Sequence, residues 1–394
     1  MLSEKLISGI ICEYNPFHSG HKYQIDKIKE ESDSLIVCVM SGNFVQRGEP
    51  AVVDKYSRVE MALMGGADLV IELPVAFATA SAEAFGRCAV YLLDALGVVD
   101  RLYFGSESSD ISKLNFITNF LLSDEYSAEL GQELKSGISF PIARMNAVNN
   151  VLGEEFSELL KNPNDILGIE YIKAIKSLNS KIEPHTIKRV GSAHDKSDDS
   201  SFISAKSIRQ LLKDNEDVSG FVPYLDIINK AIEKGQAPTD LRYLERTLLY
   251  KIRNMSESQL SNIPDVSEGL EFKIKKAAAT AKNLDELYEL IKSKRYTHSR
   301  IRRIMLRILL DIDNESMKYP RYIRILGMNK NGEEILRSKQ NKLPFVLRYN
   351  EVKKLGCEQQ SIYELEARAD DIYSLTQPII GSSGSYYSKN IIKK

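Results

Sequence analysis

The most constraining feature of this sequence is a pair of uninterrupted apolar runs, LISGIIC at residues 6–12 and LIVCVMS at 35–41, separated by one half-exposed helical pattern. A strand that is apolar at nearly every position has no solvent face, so it belongs in a parallel sheet covered on both sides. Two such strands joined through one helix form a right-handed βαβ unit. A third run at 69–73 is closed by Pro74, and VDRLYFGSE reads as a fourth strand ending at Gly105. Helices are expected from about Asp54 and over 81–96, and KIEPHTIKRV at 181–190 reads as a fifth strand. This alternation predicts a doubly wound α/β domain with ligands at the carboxyl ends of the strands.

The first run leads directly into Ile11-Cys12-Glu13-Tyr14-Asn15-Pro16-Phe17-His18-Ser19-Gly20-His21, an asparagine-proline turn followed by an H-x-G-H box. A helix starting here presents unpaired backbone N–H groups, which suit a phosphate. His18 and His21 add movable donors, and Gly20 removes a side chain where phosphates would approach the backbone. The plainer alternative is two structural histidines at a helix start, but the strand, turn and helix supply the context a phosphate site requires. Attack on an α-phosphate builds negative charge on phosphoryl oxygens, and imidazole and N–H donors meet that charge without either histidine acting as a base.

A second candidate is Ile203-Ser204-Ala205-Lys206-Ser207-Ile208-Arg209, read either as a helix cap or as a phosphate clamp opposite the first motif. The fifth strand delivers Lys188 and Arg189 to the end of the sheet, and Asn162-Pro163-Asn164-Asp165 is a turn and N-cap signature. Glu13 could contact a ribose or be a solvated turn residue. Asp54, Lys55 and Arg58 could line a substrate side, though such charges are usually helix surface. His194, in the polar loop GSAHDKSDDSSF, could close over a nucleotide.

A chain of 394 residues predicts two or three domains, and after about Gly220 the periodicity becomes mainly helical. Residues 1–220 are therefore expected as the α/β domain and 221–394 as a mainly helical one, with a short α/β tail in YIRILGMN, LPFVLRYN and SLTQPII. SGISFPIARMNAV, near 136–148, reads as an insertion. Net charge is −1, so any nucleic-acid surface must be local. Lys292-Ser293-Lys294-Arg295-Tyr296-Thr297-His298-Ser299-Arg300-Ile301-Arg302-Arg303 contains no acid and suits phosphate contacts with base stacking, or else a solvated helix face. Four scattered cysteines imply reduced thiols, with no metal-ligand cluster. No run reaches membrane-spanning length, which points to the cytoplasm, and nothing signals an oligomeric state.

The strand ending in H-x-G-H, with I-S-x-x-x-I-R after the last strand, resembles the HIGH-superfamily nucleotidyltransferases and their Rossmann-like fold. The longer strings CEYNPFHSGHKYQ, SGNFVQRGEPAVVDKYSRVEMALMGGADLVIELP, NPNDILGIEYIKA, IKRVGSAHD and KRYTHSRIRRIMLRILL are similar to the tRNA(Met) cytidine acetate ligase family over nearly the whole chain. That resemblance implies a two-step reaction. Acetate and ATP form acetyl-adenylate, and the acetyl group passes to N4 of the wobble cytidine of elongator tRNA(Met). It implies catalytic roles for His18, His21, Ser204 and Arg209, with Ser207 in the same motif. The implied ATP site runs from Ile11 through Lys22, Tyr23 and Gln24, with Gly105, Asn164 and Arg189. Lys294, Arg295, Arg300, Arg302 and Arg303 are the implied tRNA contacts. Lys206 stands where a small residue is expected. Mg²⁺ would arrive with ATP, and no tightly bound cofactor is expected. The rivals are an enzyme that adenylates a small phosphorylated metabolite and a non-catalytic tRNA-binding protein that senses ATP. The large second domain disfavours the first, and the intact H-x-G-H pair disfavours the second.

Overall fold

The computed structural model describes residues 5–189, 202–338 and 340–394. Eight strands form one sheet: β1 (Ile7–Cys12), β2 (Leu35–Ser41), β3 (Leu69–Leu73), β4 (Arg101–Ser106), β5 (Glu183–Lys188), β6 (Ile323–Met328), β7 (Phe345–Val346) and β8 (Ile392–Lys393). Their order is β8-β6-β3-β2-β1-β4-β5, with β7 also paired to β6. Neighbours from β3 across to β5 are parallel, and β3 meets β6 antiparallel. The chain winds outward from β1 through β2 and β3, then returns to lay β4 on the other side of β1. The crevice outside the carboxyl ends of β1 and β4 is therefore the topological switch point, where such sheets bind ligands.

The helices used below are α1 (Ser19–Ser32), α2 (Lys55–Met64), α3 (Ala82–Leu96), α4 (Pro163–Ser177), α5 (Ala205–Lys213), α6 (His298–Leu310) and α7 (Cys357–Ser374). The apolar runs are explained by cover on both faces. Ile7, Val37, Val39 and Ile71 pack with Cys88 and Leu92 of α3. Ile10, Cys38 and Met40 pack with Ile25 and Ile28 of α1 and with Val59 and Ala62 of α2. The first of these layers is continuous with the helical region, since Leu248, Ile274, Leu287 and Ile304 belong to it.

The α/β class and the first five strands agree with expectation to within a few residues. Three strands come from beyond residue 220, and β6 completes the sheet against β3. SLTQPII, read as part of a short α/β tail, forms no strand. Ser374 ends α7, the next residues turn, and Thr376 and Ile379 pair with the backbone of Asp240 and Gly235 at 2.8 Å each. The stretch expected as an insertion holds a 13-residue helix, Phe140–Leu152, with Pro141 in its first turn. All four cysteines are free thiols, and three are buried. No described helix is long and apolar enough to cross a membrane.

Candidate active site

The H-x-G-H turn sits at the switch point and opens α1. His18 is the N-cap: its Nδ1 accepts the Gly20 N–H at 3.1 Å, and His21 Nδ1 accepts the His18 N–H at 3.3 Å. The two rings stack with centroids 3.7 Å apart. Gly20 is required by this stacking, because a Cβ there would lie 2.9 Å from His18 Cε1. Burial, reinforced by the Arg189 and Arg209 guanidiniums, pushes His18 down to about 4. Burial, then His18 and Arg189, also lowers His21. Both imidazoles are neutral at pH 7, and an accepting Nδ1 leaves the proton on Nε2. Each ring therefore offers one N–H donor to an anion.

The His18 shift makes folding stability depend on pH. An unfolded histidine takes its proton near pH 6.5, whereas His18 does so at about 4. Between these values the unfolded chain binds more protons, so stability rises with pH across the window and is lost as pH falls through the lower value. The His18 contribution is about 3 kcal/mol. Urea titrations between pH 4 and 7 should show it, and His18→Asn should remove it.

The remaining cradle residues divide into core and rim. Tyr14 and Phe17 are buried, with rings 4.9 Å apart, and the Tyr14 hydroxyl lies 3.5 Å from Cys38 Sγ. Asn15 is buried and fixes the turn, its Oδ1 accepting from Val52 N at 2.7 Å. Pro16 and Cys12 are buried, while Ile11 packs partly into the core. Ser19 is tied through its N and Oγ to the Phe221 carbonyl at 2.8 and 2.9 Å. Lys22 pairs with Asp26, Tyr23 meets Phe202 edge-on, and Gln24 is half-buried.

The distant candidates do come to this turn. Arg209, on α5, donates from Nη1 to the Asn15 carbonyl at 2.9 Å. Ser204 caps α5, accepting from Ser207 N at 3.1 Å, and the two hydroxyls lie 2.8 Å apart and exposed. Lys206 is exposed. Arg189 lies over Gly105, where an added Cβ would come 3.1 Å from Arg189 Cγ, and its Nη1 reaches Asn164 Oδ1 at 3.1 Å. Asn162 does not cap α4 through its side chain. Instead, buried Asp165 accepts from Ser108 Oγ at 3.0 Å and from Asn162 Nδ2 at 3.0 Å, fixing the loop beyond β4. Asn164 also donates to Glu107. His194 lies outside the described residues.

Two expectations about charge are corrected. Lys55 and Arg58 are fully buried rather than helix surface. Lys55 Nζ lies 2.7 Å from Glu72 and 2.8 Å from Asp370, and 4.0 Å from the centroid of the Tyr386 ring. Burial works against its charge, but Asp370 and Glu72 outweigh that and its pKa is raised. Arg58 donates to the carbonyls of Val53, Glu13, Ser41 and Gly42, binding the ends of β1 and β2 together. Asp54 is the α2 cap, accepting from Tyr56 N and Ser57 N. The second correction concerns the acid-free basic stretch, which meets acids from elsewhere in the chain. Arg302 pairs with Glu49 at 2.6 Å, Arg303 with Asp265 at 3.5 Å, and Arg307 with Asp265 at 2.9 Å. Arg300 donates to the Asp265 carbonyl and to Ser267, with Tyr296 buried beneath it. Lys294 and Arg295 are exposed.

Sequence and structure comparisons show which known proteins the chain is similar to. A family model described as HIGH Nucleotidyl Transferase matches residues 6–385. The tRNA(Met) cytidine acetate ligase of Thermoanaerobacter sp. (strain X514) is 43% identical over 401 residues, covering 98% of this chain and 99% of that protein. The protein of the same name from Caldanaerobacter subterraneus subsp. tengcongensis is 43% identical over 399 residues, again covering 98% and 99%. The crystal structure of Thermotoga maritima TmcAL bound with alpha-thio ATP superposes with a TM-score of 0.91 at 36% identity, over 99% of this chain and 100% of that one. Its apo form gives 0.93 at 37% identity, over 98% and 99%.

Proposed function

Because the chain belongs to the tRNA(Met) cytidine acetate ligase family of HIGH nucleotidyltransferases, we propose that its switch-point cleft activates acetate with ATP and acetylates N4 of the wobble cytidine of elongator tRNA(Met). The observation that carries this reading is the pair of neutral, stacked imidazoles at the start of α1, with Arg189 and Arg209 beside them. Acetate oxygen attacks the α-phosphorus, pyrophosphate leaves, and acetyl-adenylate remains. Negative charge grows on the phosphoryl oxygens, where the Nε2–H groups, the α1 N-terminus and the two fixed cations stabilise it. The triphosphate brings Mg²⁺, which it binds through its own oxygens. Gly105 and Asn164 border the adenosine side, and the Ser204 and Ser207 hydroxyls stand at the phosphate end.

On the RNA side, Lys294 and Arg295 are exposed cations of the basic stretch, as is Lys292, and the first two are assigned to phosphate contacts. Arg300, Arg302 and Arg303 shape that surface from within, through Asp265, Ser267 and Glu49. The test is incubation with ATP, labelled acetate and a tRNA(Met) transcript, followed by digestion to nucleosides. Labelled N4-acetylcytidine is expected, and its absence with active protein and folded RNA sinks the reading. In the same assay Lys294→Ala/Arg295→Ala should leave acetate-dependent pyrophosphate exchange intact. It should also reduce the salt slope of RNA binding by roughly one to two units.

A further inference from the structure

We propose that Glu13 is the base of the second half-reaction, taking the proton from the cytosine N4 as the acetyl group is transferred. This rests on the acetyl-adenylate reading above. In the step, the N4 lone pair forms a bond to the acyl carbon. The acyl carbon–oxygen bond to phosphate breaks, its electron pair leaving on AMP, and one N4 proton passes to the Glu13 carboxylate.

Glu13 is the first residue beyond β1, at the switch point itself, five positions before His18. Its place is held twice. Gln46 N donates to Oε1 at 2.8 Å, and Arg58 Nη1 donates to the Glu13 carbonyl at 2.6 Å. The second oxygen, Oε2, has no hydrogen-bond partner among the described residues, and the residue is half-buried rather than fully enclosed. One anchored oxygen and one open oxygen are what a positioned proton acceptor needs.

Among the described residues, the other acceptors around the cleft are each committed to a partner. The Nδ1 atoms of His18 and His21 each hold a backbone N–H. Glu107 holds Asn164 Nδ2 and Asp165 N with its two oxygens, and Glu49 is turned to the Arg302 guanidinium through Oε1, an ion pair that Glu13 does not make. The charged groups facing Glu13 are Arg209 from α5, Arg47 from the loop after β2, and Arg58 from α2. Burial raises the Glu13 carboxyl, while the Gln46 N–H and these three cations oppose the rise.

The segment that anchors Glu13 also packs against α6. Gln46 belongs to a short antiparallel hairpin in which Phe44 pairs with Pro50 and Val45 with Glu49. Gly48 at its tip has φ +75° and lies so close to α6 that a Cβ would come 2.6 Å from the Arg302 carbonyl carbon. Glu49 completes the contact through Arg302. Glu13 is thus joined through this hairpin to α6, so the segment that fixes the carboxylate links the nucleotide cleft to the helix that the basic stretch runs into.

The test separates the half-reactions. Acetyl-adenylate is formed with ATP, acetate and pyrophosphatase, the tRNA transcript is added, and transfer is followed by rapid quench beside acetate-dependent pyrophosphate exchange. Glu13→Gln is expected to slow transfer by about 10²–10³-fold while exchange falls less than about tenfold. Glu13→Asp should recover part of the transfer rate. Transfer by the unsubstituted enzyme should rise with pH as the carboxyl ionises, and the Gln variant should lose that rise. Equal losses of exchange and transfer, or undiminished transfer, would overturn the proposal; a melting curve matching the parent excludes misfolding as the cause. Absence of exchange in the unsubstituted enzyme would remove the acetyl-adenylate reading and this proposal with it.

Discussion

Replacing Lys55 by methionine is expected to lower the unfolding free energy by about 3–5 kcal/mol, because it leaves buried carboxylates without their counter-ion. Lys55 is fully buried between Glu72 and Asp370, and its partners hold one another: Tyr386 donates to Glu72 at 2.7 Å and Asn43 to Asp370 at 2.9 Å. A nearby carboxyl, Glu366, is raised well above the usual range by burial and then by Glu72. The cluster ties α2, β3 and α7 together behind the strand ends that carry the site. Urea denaturation measures the loss, and a change below about 1 kcal/mol would place the residue in the class of solvated ion pairs instead. Combining Lys55→Met with Glu72→Gln and Asp370→Asn should recover much of the stability, because the stranded charges are removed along with their partner.

The second large effect falls on chemistry. His21→Ala should reduce acetate-dependent pyrophosphate exchange by about 10³-fold, the scale for deleting one donor aimed at developing charge. It also removes the Nδ1 acceptor of the His18 N–H, so the turn loses one of its two reciprocal hydrogen bonds. His21→Gln, which restores an N–H donor, should regain part of the rate. Exchange above a tenth of the parent rate in the alanine variant would show that the imidazole does not stabilise the transition state.

The sheet was legible because its strands are buried on both faces, and continuous apolar runs such as LIVCVMS have few other uses. The phosphate turn was legible because its parts are local: cap, stack and helix start all lie within four residues of His18. Lys55 and Arg58 were misread because DKYSRVE looks like a charged helix surface, and the partners that justify burial lie 17 and 315 residues away. One signal was present. Lys55, Val59 and Ala62 recur at helical spacing, placing the lysine on the apolar stripe. The basic stretch was legible only in part. Its lack of acids is a property of adjacent residues, whereas Asp265 and Glu49 arrive from other parts of the fold. SLTQPII forms no strand because its backbone groups find partners in the segment at 235–240.

The antiparallel seam between β3 and β6 has a consequence for how the protein is made. Leu69 pairs with Met328, and Gly327 in turn pairs with Ile392. A ribosome therefore exposes the apolar edge of β3 long before the segment that covers it has been synthesised. Until then that edge is open to pairing with other chains. Contacts of such sequence separation also slow closure of the sheet. A fragment of residues 1–220 would lose the Phe221 carbonyl that holds Ser19 of the phosphate turn, and it would carry the β3 edge bare and Lys55 without Asp370. Until β6 is made, the nascent chain therefore carries an unpaired strand edge.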